Sequence, residues 1–188
     1  MGLRKRNIYE KYGKAFFVTT SVVGLRPIFT NRKCYEILLS SLRFLQKKYR
    51  FKLIAYVLMP NHIHLIAYFD ENPRISELMR DFKKFTCFEF RKLCETENKK
   101  RALSYLRKNA ENVSGQKFKL WEDRFDCLVI TNEKTLLGKI QYIHFNPQKR
   151  GLVENFTDWP YSSIRNYFCE DNSLIEVDKN FLVSGGNS

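Results

Sequence analysis

Residues 59–67 read Met59-Pro60-Asn61-His62-Ile63-His64-Leu65-Ile66-Ala67, a proline turn followed by alternating imidazole and aliphatic side chains. A period of two belongs to an extended strand, because successive side chains leave it on opposite sides. It sets Ile63, Leu65, Ala67 and Phe69 on one face and His62, His64, Ile66 and Tyr68 on the other. The aliphatic face suits a sheet surface covered by helices. Pro60-Asn61 turns the chain back onto the preceding run, Lys52 to Met59, so the two runs form a hairpin.

The rest of the chain fits around that hairpin. Ala15 to Val23 is β-branched and aromatic, a strand stopped by Gly24. Asn31 offers an N-cap to a helix whose apolar positions Ile37, Leu38, Leu42 and Leu45 run to about Tyr49. Pro73 opens a second helix, with Leu78, Met79, Phe82, Phe85 and Phe88, to about Cys94. Residues 95–116 are polar and basic, with Lys99-Lys100-Arg101, and read as a loop or short helix in a solvated insertion. Arg124 to Thr131 is a fourth strand, and Glu133 to about Phe145 a third helix. Pro147 disfavours helical geometry at Asn146, so this helix is expected to end there. The order βαββαβα predicts an α+β fold, a ferredoxin-like βαββαβ sandwich with an added C-terminal helix. Two helices would cover the aliphatic face, leaving the histidine face open.

At 188 residues the chain is expected to form one domain, residues 1–168, followed by a tail, residues 169–188. Apolar residues at 44% and aromatics at 15% exclude a disordered chain. Lys and Arg number 33 against 20 Asp and Glu, a net charge of +13 that points first to nucleic acid, with a basic surface kept for solubility as the alternative. Five cysteines without a CxxC pair suit reduced thiols. Neither a signal peptide nor a membrane-spanning run is visible, so no membrane partner and a cytoplasmic location are expected.

Histidines two apart on a strand stand roughly 6.5–7 Å apart at the backbone and can converge on one divalent ion. Alone, the pair is a weak signal, because His-x-His arises easily by chance and fits surface or hydrogen-bonded histidines better. In the third helix, at about 100° per residue, Leu136, Leu137, Ile140 and Ile143 fall within about 120° and form the expected buried stripe. Tyr142 and Asn146 lie together at its edge, one turn apart, and Gly138 leaves that face uncrowded. His144 falls on the stripe and reads as a packed core histidine. Spacing does not separate Tyr142 from an ordinary half-buried aromatic.

Two blocks, His62-Ile63-His64 after Met59-Pro60-Asn61 and Tyr142-Ile143-His144-Phe145-Asn146-Pro147, resemble the signatures of the HUH single-strand tyrosine transposases, most closely their REP-associated branch. The resemblance continues through Phe17-Val18-Thr19-Thr20, Arg26-Pro27-Ile28-Phe29, Trp121-x-x-Arg124-Phe125 and Trp159-Pro160-Tyr161-Ser162-Ser163, covering about residues 7 to 167. The chief departure is the basic segment around Lys99 to Lys119.

The resemblance implies that His62 and His64 hold Mg²⁺ or Mn²⁺, with the Asn146 side-chain oxygen a candidate third ligand. Tyr142, on the added helix, would cut single-stranded DNA hairpins by forming a 5′-phosphotyrosine. Related enzymes work as dimers that trade the tyrosine helix, so a homodimer is a possible partner state. Arg4, Lys5, Arg6, Lys83, Lys84, Lys99 to Arg101, Arg124, Lys149 and Arg150 are candidates for DNA contact, each also readable as a solvated charge. Trp121 and Trp159 suit packing better than base stacking. The alternative in a different class is a binder of structured single-stranded DNA that does not cut.

Overall fold

The computed structural model describes residues 14–179, apart from residues 112 and 114. Four strands, β1 (Ala15–Ser21), β2 (Lys52–Leu58), β3 (His62–Tyr68) and β4 (Asp126–Ile130), pair in the order β2-β3-β1-β4. All pairs are antiparallel, and the register sets Thr19 against His64 and Ser21 against His62. With helices crossing between β1 and β2 and between β3 and β4, this is the expected ferredoxin-like arrangement.

Helix α1 (Arg32–Tyr49) starts where the Asn31 side chain accepts from the Cys34 amide at 3.1 Å, and stops at Arg50, whose φ of 49° is left-handed. Helix α2 is Ile75–Thr96 and α3 is Lys100–Lys108. From α1 and α2, Leu38, Leu42, Leu45, Leu78, Met79 and Phe82 pack against Phe16, Val18, Ile63, Leu65 and Ala67 of the sheet. Each large side chain taken fully out of water there contributes on the order of 1.5–3 kcal/mol.

The second face is not open. Helix α4 (Glu133–Lys149) crosses it, packing Leu136, Ile140 and Ile143 against Phe17, Ile54, Val57 and Ile66. The strands carry apolar side chains on both sides, and a sheet of that kind needs two covers. Within α4 the buried arc is centred on Leu136 and takes in Ile143, His144, Asn146 and Pro147, so Leu137, expected in the stripe, lies outside it at 41% exposed.

Helix α4 also passes the expected stop at Asn146. Pro147 forgoes one amide bond near the C-terminal end, and the turn is closed instead by Arg150 N–H to the Asn146 carbonyl at 3.1 Å and Leu152 N–H to the Pro147 carbonyl at 3.0 Å. Gly151, with φ of 68°, supplies the left-handed residue that ends the helix.

Two segments are better packed than their polarity suggested. Helix α3 buries Leu106, the Tyr105 hydroxyl donates to the Val23 carbonyl, and Ala110 beyond it is buried. Past the short α5 (Ile164–Phe168), the segment expected to be a tail folds back: Ile175 and Val177 enter the core, and Asp178 N–H donates to the Leu53 carbonyl at 2.9 Å. Among the described residues no helix is long and apolar enough to cross a membrane.

Candidate active site

The antiparallel pairing of β1 with β3 fixes the surroundings of the two histidines. Their rings lie 4.8 Å apart, centroid to centroid, beneath α4. His62 Nδ1 is 2.6 Å from the Asn61 side-chain oxygen, which can only accept, so Nδ1–H donates. His64 Nδ1 is 2.7 Å from the Thr19 hydroxyl, and its Nε2 faces the Asn146 amide nitrogen at 3.4 Å. A donor facing Nε2 leaves the proton on Nδ1, where it goes to Thr19. Both rings thus commit Nδ1 to the protein and turn Nε2 toward Asn146, whose amide is the one group to move if another ligand is to take those nitrogens.

Burial sets their charge. His62 is pushed down from 6.5 to about 4, first by desolvation and then by the Arg150 charge, with the Asn146 contact opposing. His64 is pushed down to about 3 by desolvation, then by His62, Lys139 and Arg150. At neutral pH both imidazoles are uncharged, the form that binds cations.

Helix α4 brings the remaining groups. Tyr142 is 36% exposed, and its ring stands edge-on to His64 at 5.1 Å and to Phe17 at 5.9 Å. One turn earlier, the Lys139 ammonium sits 4.6 Å over the Phe17 ring and 5.6 Å over that of Tyr142. One turn later, Asn146 is buried and its Oδ1 has no hydrogen-bond partner. A buried acceptor left unmet costs about 1–3 kcal/mol. Among the described residues no three His, Cys, Asp or Glu side chains cluster for a metal, so a site here would be two imidazoles and an amide oxygen. That mixed set suits Mn²⁺, whereas Mg²⁺ would keep several waters.

The other predicted residues divide. His144 is buried away from the pair, bonded to the Ser163 hydroxyl at 2.8 Å and edge-on to Tyr167. Lys149 and Arg150 are exposed at the end of α4, where the Arg150 charge reaches both histidines. Lys84 and Arg124 are exposed elsewhere, beside α2 and before β4. Lys83 instead donates to the carbonyls of Glu122, Asp123 and Arg124 at 2.8, 3.3 and 3.0 Å, holding the approach to β4. Lys99 pairs with Glu97 at 2.6 Å, while Lys100 and Arg101 are exposed on α3. Arg4, Lys5 and Arg6 lie outside the described residues.

Trp121 is buried and donates to Thr86, and Trp159 donates to the Leu58 carbonyl, so both serve packing. Sequence reasoning missed Thr19, Asn61 and Lys139. Thr19 and Asn61 stand inside the blocks that carry the family resemblance, and Lys139 lies on the same face of α4 as Tyr142, but none of the three was assigned a role.

Residues 21–146, which include both histidines, Tyr142 and Asn146, match the sequence model of the family described as "Transposase IS200 like". The chain belongs to the IS200-like transposases.

Members of this family are generally metal-dependent, in keeping with the donor set above. This transposase is 33% identical over 123 residues to a Haemophilus influenzae protein assigned to the REP-associated tyrosine transposases, a match spanning 61% of the chain and 60% of that protein. It is 26% identical over 159 residues to the REP-associated tyrosine transposase of Escherichia coli K12, covering 84% of the chain and 80% of the relative. Its fold is similar to that of a REP-associated tyrosine transposase solved bound to a REP hairpin, with a TM-score of 0.63 and 24% identity over 89% of this chain and 87% of the other.

Proposed function

We propose that this transposase cuts single-stranded DNA beside a hairpin, keeps the cut end on Tyr142, and passes it to another strand. The observation that carries the reading is a convergence within one chain: Tyr142 edge-on to His64, two uncharged imidazoles whose Nε2 side faces Asn146, and the unpartnered Asn146 oxygen. The hairpin comes from the relative of similar fold that was solved with one.

Tyr142 Oη attacks the scissile phosphorus as its proton leaves. The bond from phosphorus to the 3′ oxygen breaks, and that oxygen takes up a proton to give a free 3′-OH. The 5′ end remains as a phosphotyrosine ester. Attack by another 3′-OH reverses the exchange and frees Tyr142, with no net loss of phosphoester bonds and no need for ATP. His62, His64 and Asn146 would hold Mn²⁺ or Mg²⁺, which supplies charge to offset that developing on the phosphate oxygens. Asn61 and Thr19 keep the two rings oriented. Lys139, above the Tyr142 ring, adds positive potential where the phosphate arrives.

The test uses labelled hairpins drawn from repeats flanking the gene, with Mn²⁺ or Mg²⁺, comparing the wild type with Tyr142→Phe. An adduct that survives SDS and boiling, lost in the variant, is the expected result. Cleavage by both proteins without an adduct would replace Tyr142 by water as nucleophile. Tight binding without cleavage would make the protein a binder of structured DNA.

A further inference from the structure

The basic segment that the catalytic reading leaves unused lines a groove of about 870 Å³ between α2 and residues 115–125. Arg80, Lys83, Lys84, Arg91, Lys117 and Lys119 on its walls outnumber Glu77, Glu122 and Asp123. Its aromatic groups interleave with guanidinium groups: Arg91 lies 5.2 Å from the ring centroids of both Phe88 and Phe118, and Arg107 of α3 lies 5.5 Å from Phe118. Such a ladder fastens α3 and the following loop to α2. Fastening does not account for Phe88, a large apolar side chain left 52% exposed. Nor does it account for Lys84 and Lys117, which are exposed and make no ion pair among the described residues.

The groove begins close to the histidine end of the sheet. Val22 bridges Trp121, Glu122 N–H donates to the Ser21 carbonyl at 2.9 Å, and Ser21 faces His62 across β1 and β3. Exposed Arg124 follows in the same stretch. Exposed aromatics set among cations bind single-stranded nucleic acid through base faces and phosphates, with little demand on sequence.

We propose that this groove holds unpaired nucleotides of the cut strand, with a base on Phe88 and phosphates at Lys84, Lys117 and Arg124. The proposal rests on the strand-cutting reading above and extends it to a second binding site.

The test compares one hairpin with and without a single-stranded extension, by fluorescence anisotropy at moderate salt. Phe88→Ala should weaken binding of the extended hairpin roughly 5- to 100-fold while leaving the blunt hairpin unchanged, and Phe88→Trp should restore it. Lys84→Ala with Lys117→Ala should reduce the slope of log affinity against log salt by roughly 1.4. A 5-iodouracil in the extension should crosslink to peptides containing Phe88 or Phe118.

Equal affinity of Phe88→Ala and wild type for the extended hairpin overturns the groove, and so does an equal loss on both hairpins. If the wild type still forms the Tyr142 adduct in either case, the strand-cutting reading stands without it. A wild type that binds neither hairpin overturns both.

Discussion

The sheet has two covered faces, and they are closed in different ways. Under α1 and α2 the contacts are aliphatic and aromatic, and the polar groups drawn in are mostly matched. Trp121 Nε1–H meets Thr86 at 2.8 Å, and Asp81 accepts from Tyr49 at 2.8 Å and Lys48 at 2.6 Å, with the Thr20 hydroxyl as an unpartnered exception. Under α4 the apolar cluster is smaller and borders three buried polar side chains, His62, His64 and Asn146. Asn146 sits against the imidazoles through its amide nitrogen, and its oxygen is left without a partner among the described residues. The first face contributes stability, and the second gives some up at the buried Asn146 oxygen, as the proposed binding site would require.

That contrast can be broken by experiment. The largest effect should come from His64→Ala, which should lower metal-dependent adduct formation roughly a thousandfold or more, about 4 kcal/mol of transition-state stabilisation, in a protein that still folds. Unchanged cleavage would remove the histidine pair from the chemistry. Phe82→Ala, on the other face, should lower stability by roughly 3–5 kcal/mol in urea titrations, with adduct yield per folded molecule preserved. If it inactivated a folded protein, the division between the faces would fail.

Acid should weaken the α4 side next. Burial holds His144 at about 4, below its ordinary 6.5. Between those values the unfolded chain takes up a proton that the folded chain refuses, so stability falls with pH through that window and levels off below it. Full passage through the window removes up to roughly 3 kcal/mol for this one side chain. Equal urea midpoints at pH 7 and pH 4.5 would contradict it.

Thr19→Val should weaken Mn²⁺ binding roughly 10- to 100-fold, measured by electron paramagnetic resonance on the protein without DNA. An unaltered affinity would mean that the hydroxyl does not orient His64. Leu137→Ala should shift stability by no more than about 0.5 kcal/mol, and a larger loss would put Leu137 back in the buried stripe.

Much of this was legible in the chain. Alternation over His62 to Tyr68 gave a strand and its faces, and helical spacing gave α1 and α2, because both signals are local. The cover over the histidines was not local. Ile66 and Phe17 needed a partner layer, but nothing in their own spacing says that the partner is α4. The passage of α4 through Pro147 depended on capping bonds from Arg150 and Leu152, which come after the expected stop. Thr19 was hidden for a similar reason: it meets His64 through strand register, which pairs residues 45 apart. Polarity misled at α3 and at residues 169–179, where a few apolar side chains anchor otherwise charged segments.

One consequence follows from α4 resting on the sheet of its own chain, with Tyr142 beside its own His64. On the proposed mechanism each molecule would bring a single attacking tyrosine, Tyr142, and would hold one DNA end at a time. Nicking and resealing a single junction would then be a one-molecule event, with a rate expected to scale linearly with protein. Releasing a segment would need two ends held together, and so two molecules, with a rate expected to rise with the square of concentration. The dose response of the reaction therefore counts the copies taking part.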